Sequence, residues 1–474
     1  MKIKIVEPSR LDPRYDVSTP LPGLGPVVVA TLLKRAGHDV EVLSEYVRPL
    51  EASALAGADL VGISITTFNA VRGYQIAAGV CAPVVFGGYH ASLLPAECLE
   101  HGDFVIRGDG QGVVELAARL EGGSHHDLGS VRNLVYRVGT TIIENPCTPG
   151  TPDIVPDFTL VRGLGAWSAR RLLRVPLLVN ASRGCPHSCS FCAIKAVHAD
   201  VSRKSVDVVL ADIAARTRQS RRTLARFLPR SIWVTDDNFF ADPVWAKQLL
   251  AGIARLRTGY PIMIQARADV ADDDELLALM RAAGVARVYL GIETVDQAGL
   301  DAFRKGTTLD AIVGAVGKIR ARGMDVHGLF VLGGEEFRRG DGARVAAFVR
   351  RHRLDGALVQ PLTPFPGTPL FRQLRSQGRL LHERWQEYNG KVVFRPRHLT
   401  PAELQREVGD CYDEVYSVGQ VAKWLCSGTR TAKLLVLGDA VMRRLEARRV
   451  RRYARERLGG AGVGTPAKFD REKR

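Results

Sequence analysis

No run of eighteen or more apolar residues occurs in the 474-residue chain, so a hydrophobic spanning helix is not expected. The opening MKIKIVEP reads as a buried strand rather than a secretory leader, which places the protein in the cytoplasm. Thiols stay reduced there, so the eight cysteines are not expected to pair as disulfides, and a tight group of them points to metal binding or chemistry. No internal repeat is visible. Acidic residues are outnumbered: 66 Lys and Arg against 50 Asp and Glu give a formal net charge of +16. Half of that excess lies between Arg443 and Arg474, where twelve basic residues stand against four acidic ones. That segment lacks interleaved aromatics and no DNA-reading module precedes it, so nucleic acid is not an expected partner. What remains is the composition of a globular protein, 46% hydrophobic and 24% charged, in a length that suits two or three domains.

Residues 1–130 alternate short apolar runs (KIKIVEP, HDVEVLS, LVGISIT, PVVFGG and DFVIRGD) with amphipathic segments. That alternation predicts a doubly wound, Rossmann-like α/β domain. Such sheets bind ligands at the carboxyl ends of their strands, which draws attention to the loops at 21–25, 64–69, 87–92 and 107–112. Residues 131–174 hold a hairpin, NLVYRVGTTIIENP, and a Pro/Gly-rich linker. Six further strand candidates fill 175–372: VPLLVNA, SIWVTD, IMIQARA, RVYLGIE, DVHGLFVLG and GALVQPLT. With helical patterns between them they predict a (β/α)6 partial TIM barrel, whose chemistry sits on the loops after the strands. Residues 373–458 read as helical, and 459–474 as a basic, disordered tail.

Three of the eight cysteines, Cys185, Cys189 and Cys192, fall within eight residues, directly after the first barrel strand. Structural thiols that happen to be close are the bland reading. A structural zinc site wants four ligands, usually as two pairs, and no second pair exists here. An all-cysteine ferredoxin-type cluster likewise wants a fourth thiolate. Three thiolates fit a 4Fe–4S cluster with one iron left open.

CPHSCSFC resembles the signature of the radical S-adenosylmethionine (SAM) enzymes: Cys, three residues, Cys, two residues, Cys, with an aromatic, here Phe191, before the third. The resemblance runs from Val175 to about Thr368 and carries several implications. SAM would chelate the open iron, and an electron from a donor such as flavodoxin or ferredoxin would cleave it to methionine and a 5′-deoxyadenosyl radical. Asp236, Asp237 and Asn238 would contact the methionyl ammonium, for which a carboxylate is an apt partner. Arg267 and Glu293 would hold the SAM carboxylate and ribose, and Gly333 and Gly334 would form the glycine-rich turn after the fifth strand, where the usual proline is missing. The plainer readings are a helix cap for the Asp-Asp-Asn run and salt bridges for Arg267 and Glu293. PLTPFPGTPLF resembles the loop over adenine or substrate. The roles of His187, Lys195 and His198 stay open.

VVFGGYHASLLPAECLEHGDFVIRGDGQGVVELAARL, upstream, resembles the cobalamin-binding domain of cobalamin-dependent radical SAM enzymes. That resemblance makes Leu24, Gly25, Ser64, Thr66, Thr67, Gly87, Gly88, His90, Arg107 and Gly108 candidate cobalamin contacts. Gly87 and Gly88 would let backbone approach a flat corrin, and the Ser64–Thr67 stretch could hydrogen-bond its nucleotide tail. Asp-x-His-x-x-Gly, which supplies a lower histidine to cobalt in many cobalamin proteins, is absent. The cofactor is therefore expected base-off, without a histidine ligand. His90 is a tempting substitute, though a polar loop residue near the corrin is the plainer reading.

Taken together, the resemblance implies an enzyme carrying a 4Fe–4S cluster, SAM and cobalamin, most simply a methyltransferase acting on an unactivated carbon of a small-molecule or lipid-like substrate. The alternative is cyclisation, rearrangement or oxidoreduction without methyl transfer, and a remote one is a non-catalytic cobalamin or iron–sulfur sensor. The basic end reads plainly as a solvated helix terminus. The sharper reading is peripheral attachment to an anionic membrane, with Leu437, Val441 and Leu445 inward, and from it an amphiphilic substrate such as a polycyclic terpenoid lipid.

Overall fold

The computed structural model describes residues 1–11, 21–123, 127–148, 150, 153–166, 176–221, 231–427 and 430–458. The tail at 459–474 and the expected barrel start at Val175 lie outside the described residues. Five apolar runs form the parallel strands β1 (Lys2–Glu7), β2 (Asp39–Ser44), β3 (Leu60–Ser64), β4 (Val84–Gly87) and β5 (Phe104–Ile106). Alternate residues feed two separate cores, one on each face, which is why these strands read as unbroken apolar runs. The hairpin β6 (Leu134–Val138) and β7 (Thr141–Glu144) does not stand apart. β6 pairs antiparallel with β5, Val135 opposite Val105, so the sheet runs β2-β1-β3-β4-β5-β6-β7 and continues past the expected boundary at residue 130. An isolated two-stranded ribbon is marginal in water, and the β5 edge supplies the missing partner. Val161 then bridges Val42 at the opposite edge, so the connecting segment crosses the whole sheet.

The second sheet contains β8 (Leu177–Val179), β11 (Ile232–Val234), β12 (Ile262–Ala266), β13 (Val285–Glu293), β14 (Asp325–Leu332) and β15 (Gly356–Pro361), all parallel and in chain order. Between β8 and β11 sits a two-residue ribbon, β9 (Ser182–Arg183) with β10 (Ser202–Arg203). Six parallel strands in sequence order with outer helices make the open partial barrel. Ile232, Val234, Val288 and Leu290 face those helices in one continuous core. Strand alternation therefore turns Trp233 and Tyr289 to the opposite, inner face, where their rings stack 5.8 Å apart.

An open barrel leaves β15 with an unpaired edge. The helix Pro401–Val415 and the residue after it cover this strand. Tyr412 Oη accepts from the Val359 N–H at 2.9 Å, and Tyr416 Oη donates to the Ala357 carbonyl at 2.9 Å. Within the region expected to be helical lie Pro401–Val415 and Val418–Ser427, followed by Arg430–Tyr453. This last helix is tied to the barrel by Arg287, whose Nη1 meets Asp439 Oδ2 at 2.6 Å. Among the described residues no helix is long and apolar enough to cross a membrane.

Candidate functional site

The loop after β8 begins with Gly184 at φ +87°, where a Cβ would sit 2.3 Å from the Asp200 carbonyl. Only glycine suits that turn. The β9–β10 ribbon pins the loop on one side. On the other, the Ser190 N–H donates to the Phe303 carbonyl and the Ser190 carbonyl accepts from the Leu370 N–H, both at 3.0 Å. Phe191 packs edge-on to Phe303, centroids 5.1 Å apart, wedging the loop against the core. Cys185, Cys189 and Cys192 stay half-exposed on this fixed loop.

The surroundings of two of the three thiols suit negative sulfur. Asn238 Nδ2 lies 3.6 Å from Cys185 Sγ and Arg267 Nη1 lies 3.9 Å from Cys189 Sγ. Burial pushes the Cys192 thiol up to about 11, and charge on Cys189 and Cys185 pushes the same way. A bound cation would offset this and hold Cys192 as a thiolate near neutrality. Among the described residues no three His, Cys, Asp or Glu side chains surround a single metal-sized point. A cubane takes each thiolate on a different iron, so three spaced donors on a pinned loop fit it better than they fit one ion.

Asp237 Oδ2 accepts the Gly184 N–H at 2.9 Å and its Oδ1 the Tyr89 hydroxyl at 3.2 Å. This one carboxylate therefore touches both the cysteine loop and the first domain, and it lines a cavity between them, where it suits an ammonium. Asp236 departs from expectation. It is fully buried and accepts from Ala181 N and Ser182 Oγ, both at 2.7 Å, and from Asn180 Nδ2 at 3.2 Å. It is a strut between strand ends rather than a contact for SAM, and burial pushes its carboxyl up to about 7.

Arg267 Nη2 donates to the Lys305 carbonyl at 2.6 Å, and Lys305 Nζ meets Glu293 Oε1 at 2.6 Å. Glu293 sits at φ +68°, strained for a residue with a side chain, beside a register shift in β13. Gly291 makes room for the ion pair, since a Cβ there would lie 2.9 Å from both Glu293 Oε1 and Lys305 Nζ. Gly333 and Gly334 serve packing: added Cβ atoms would lie 2.5 Å from Leu404 and 3.2 Å from Phe303. Gly334 also borders a small cavity of about 40 Å³ beside Asp296 and Glu335.

The large cavity, about 370 Å³, lies at the carboxyl ends of both sheets. From the first domain it is lined by Leu24, Gly25, Ser64, Thr66, Gly87, Gly88 and Gly108, seven of the ten residues expected there. Open space lies over Gly25, where a Cβ would meet nothing within 4 Å, and such bare backbone suits a flat macrocycle. Asn180, Thr235, His198 and Arg183 close it from the barrel side.

Three expected residues turn elsewhere. His90 is fully buried, its Nε2 3.1 Å from Tyr74 Oη and 3.3 Å from Glu97 Oε1, and its Nδ1 3.3 Å from Thr67 Oγ1. It packs edge-on to Trp385, whose indole donates to Glu97 at 2.8 Å, so His90 and Thr67 belong to a seam between the first domain and the C-terminal region. Arg107 binds Glu144 at 2.7 Å and the Asn145 carbonyl at 2.6 Å, fastening the hairpin.

Of the residues left open, His198 lines the cavity edge-on to Tyr89, and burial lowers its pKa. His187 lies 3.8 Å from Asp269, and Lys195 donates to the Ala199 carbonyl. Sequence reasoning missed Tyr89, Lys305 and Arg10, whose guanidinium lies 4.4 Å over the Phe68 ring inside the cavity. Tyr89 alone had a signal, its place directly after Gly87-Gly88.

Residues 179–340 match the family model of the Radical SAM superfamily and residues 16–118 that of the B12 binding domain. The bacteriochlorophyllide d C-12(1)-methyltransferase of Chlorobaculum tepidum is 27% identical over 84% of this chain and 83% of its own. The anaerobic magnesium-protoporphyrin IX monomethyl ester cyclase of Cereibacter sphaeroides is 24% identical over 92% and 74%. Among solved structures, the radical S-adenosylmethionine methyltransferase TsrM from Kitasatospora setae, with cobalamin and a [4Fe-4S] cluster bound, superposes with a TM-score of 0.67 at 19% identity. The match covers 80% of this chain and 75% of that one, and shares the fold.

Proposed function

The chain belongs to the cobalamin-dependent radical SAM enzymes, a B12-binding domain followed by a radical SAM domain, and from that premise we propose that it methylates an unactivated carbon of an amphiphilic small molecule. The observation that carries this reading is the shared cavity into which both domains open, with Asp237 hydrogen-bonded to the cysteine loop and to Tyr89 at its rim. When bound, the cluster, SAM and cobalamin would supply an electron, a 5′-deoxyadenosyl radical and a transferable methyl group. The protein's own residues bind, orient and shield. Cys185, Cys189 and Cys192 hold the cluster. Asp237 takes the methionyl ammonium, Arg267 the carboxylate, and Glu293, steadied by Lys305, a ribose hydroxyl. Gly87, Gly88 and Gly108 present bare backbone to the corrin. Electrons come from a reduced flavodoxin or ferredoxin.

The cavity's apolar lining, with Leu21, Leu24, Val29, Ile65 and Phe68, suits a substrate with an apolar body. Similarity to a named methyltransferase favours methyl transfer, and similarity to a named cyclase favours the second reading, ring formation without it. Anaerobic turnover of the reconstituted protein with SAM deuterated in its methyl group, over a small-molecule extract, tests both. A deuteromethylated product supports the proposal. Deoxyadenosine released alongside an unlabelled, rearranged product supports ring chemistry, and no SAM cleavage despite a full cluster removes both.

A further inference from the structure

Seven large hydrophobic side chains are exposed among the described residues, and three of them, Leu437, Val441 and Leu445, stand at four-residue spacing on the helix Arg430–Tyr453. That spacing sets them in one stripe. The stripe continues along the same face into Arg448, Arg452 and Arg455, all exposed. By helical rise it is apolar for about 12 Å and basic for about 10 Å more. The opposite face, Ala440, Ala447, Val450 and Tyr453, is buried. Asp439 on that side holds Arg287 of the barrel, and Glu446 accepts from Gln360 at 2.9 Å. The helix is thus fixed to the barrel on one side and bare on the other. Arg452 pairs with Glu456, whereas Arg448 and Arg455 form no ion pair among the described residues.

We propose that this face docks the protein peripherally on an anionic phospholipid surface. Leu437, Val441 and Leu445 enter the boundary between headgroups and acyl chains, and Arg448, Arg452 and Arg455 meet the phosphates. Charge complementarity selects an anionic partner. The apolar half selects a membrane over nucleic acid, because phosphate backbone offers nothing to three bare aliphatic side chains. A helix with an apolar patch, a basic patch and too little apolar length to cross a bilayer lies in the interface rather than across it. The inference is independent of the reaction proposed above.

Sedimentation of the full-length protein with vesicles tests it, using phosphatidylcholine alone or mixed with phosphatidylglycerol at low and high salt. The wild type sediments with the mixed vesicles, less so as salt rises, and stays in solution with phosphatidylcholine. Replacing Arg448, Arg452 and Arg455 together by Gln lowers partitioning roughly 100-fold, each arginine counting about a factor of five. Replacing Leu437, Val441 and Leu445 together by Gln lowers it at least ~10-fold, with circular dichroism unchanged because these side chains support no core. A wild type that never sediments overturns the proposal, as does a Leu/Val variant that sediments like wild type. Duplex DNA that binds more tightly than the vesicles overturns it in favour of nucleic acid. A dimer lost in the Leu/Val variant overturns it in favour of a second copy of the chain.

Discussion

Asp236 and Asp237 leave the same strand end into different surroundings. Asp237 sits at the cavity rim between Gly184 and Tyr89, where its charge is available to a ligand. Asp237→Asn is expected to lower SAM cleavage roughly 10- to 100-fold, the worth of one charge-assisted hydrogen bond, with cluster iron unchanged by analysis. Asp236 is buried among donors, and its folded pKa of about 7 stands above the ordinary 3.8. The raised value fixes the sign: its contribution to stability is full below 3.8, falls as pH rises, and is gone above about 7. Thermal melts between about pH 4 and 8 should show this fall in the wild type and a flatter profile in Asp236→Asn. The identity of the cysteine site was legible because its ligands lie on one short loop. The division between the two aspartates was not, since it depends on β8 and the β9–β10 ribbon packing against β11 from some 55 residues upstream. Glu293 was legible by its place at a strand end, but its partner Lys305 approaches from beyond the next helix.

At the scale of elements, every strand of the six-stranded sheet was readable as a mainly apolar run, because alternate residues of each face the helix-packed core. Pairing was less readable. The β6–β7 hairpin announced itself by its turn, yet nothing local shows that its partner is the β5 edge. The Arg430–Tyr453 helix was legible as amphipathic, but not its grip on the barrel. Arg287 is 1% exposed and depends on Asp439, with Asp325 a looser partner at 3.7 Å. Asp439→Ala leaves that guanidinium buried beside a weak partner and is expected to cost about 3 kcal/mol in urea unfolding. Arg287→Met, which removes the buried charge itself, should cost clearly less. Equal costs would mean that the stranded buried charge is not what makes the loss of Asp439 expensive.

Across the whole molecule, the two α/β units meet through contacts between residues far apart in sequence. Tyr89 reaches Asp237, and Trp385 reaches Glu97 beside the buried His90. His90 looked like a cofactor residue because it follows Gly87-Gly88. Its side chain instead completes a seam that only the folded C-terminal region creates. Tyr89→Phe removes the hydroxyl between the domains and should weaken cobalamin retention on gel filtration severalfold, with the cysteine loop still binding iron. Everything proposed for the cavity depends on an iron at Cys185, Cys189 and Cys192 that still has a coordination position to offer. The direct measurement is the electron paramagnetic resonance spectrum of the oxygen-free, iron- and sulfide-reconstituted, reduced protein, recorded before and after adding SAM. A cubane signal whose g values move on addition is the expected result. A spectrum indifferent to SAM, or zinc in place of iron at this loop, would contradict it.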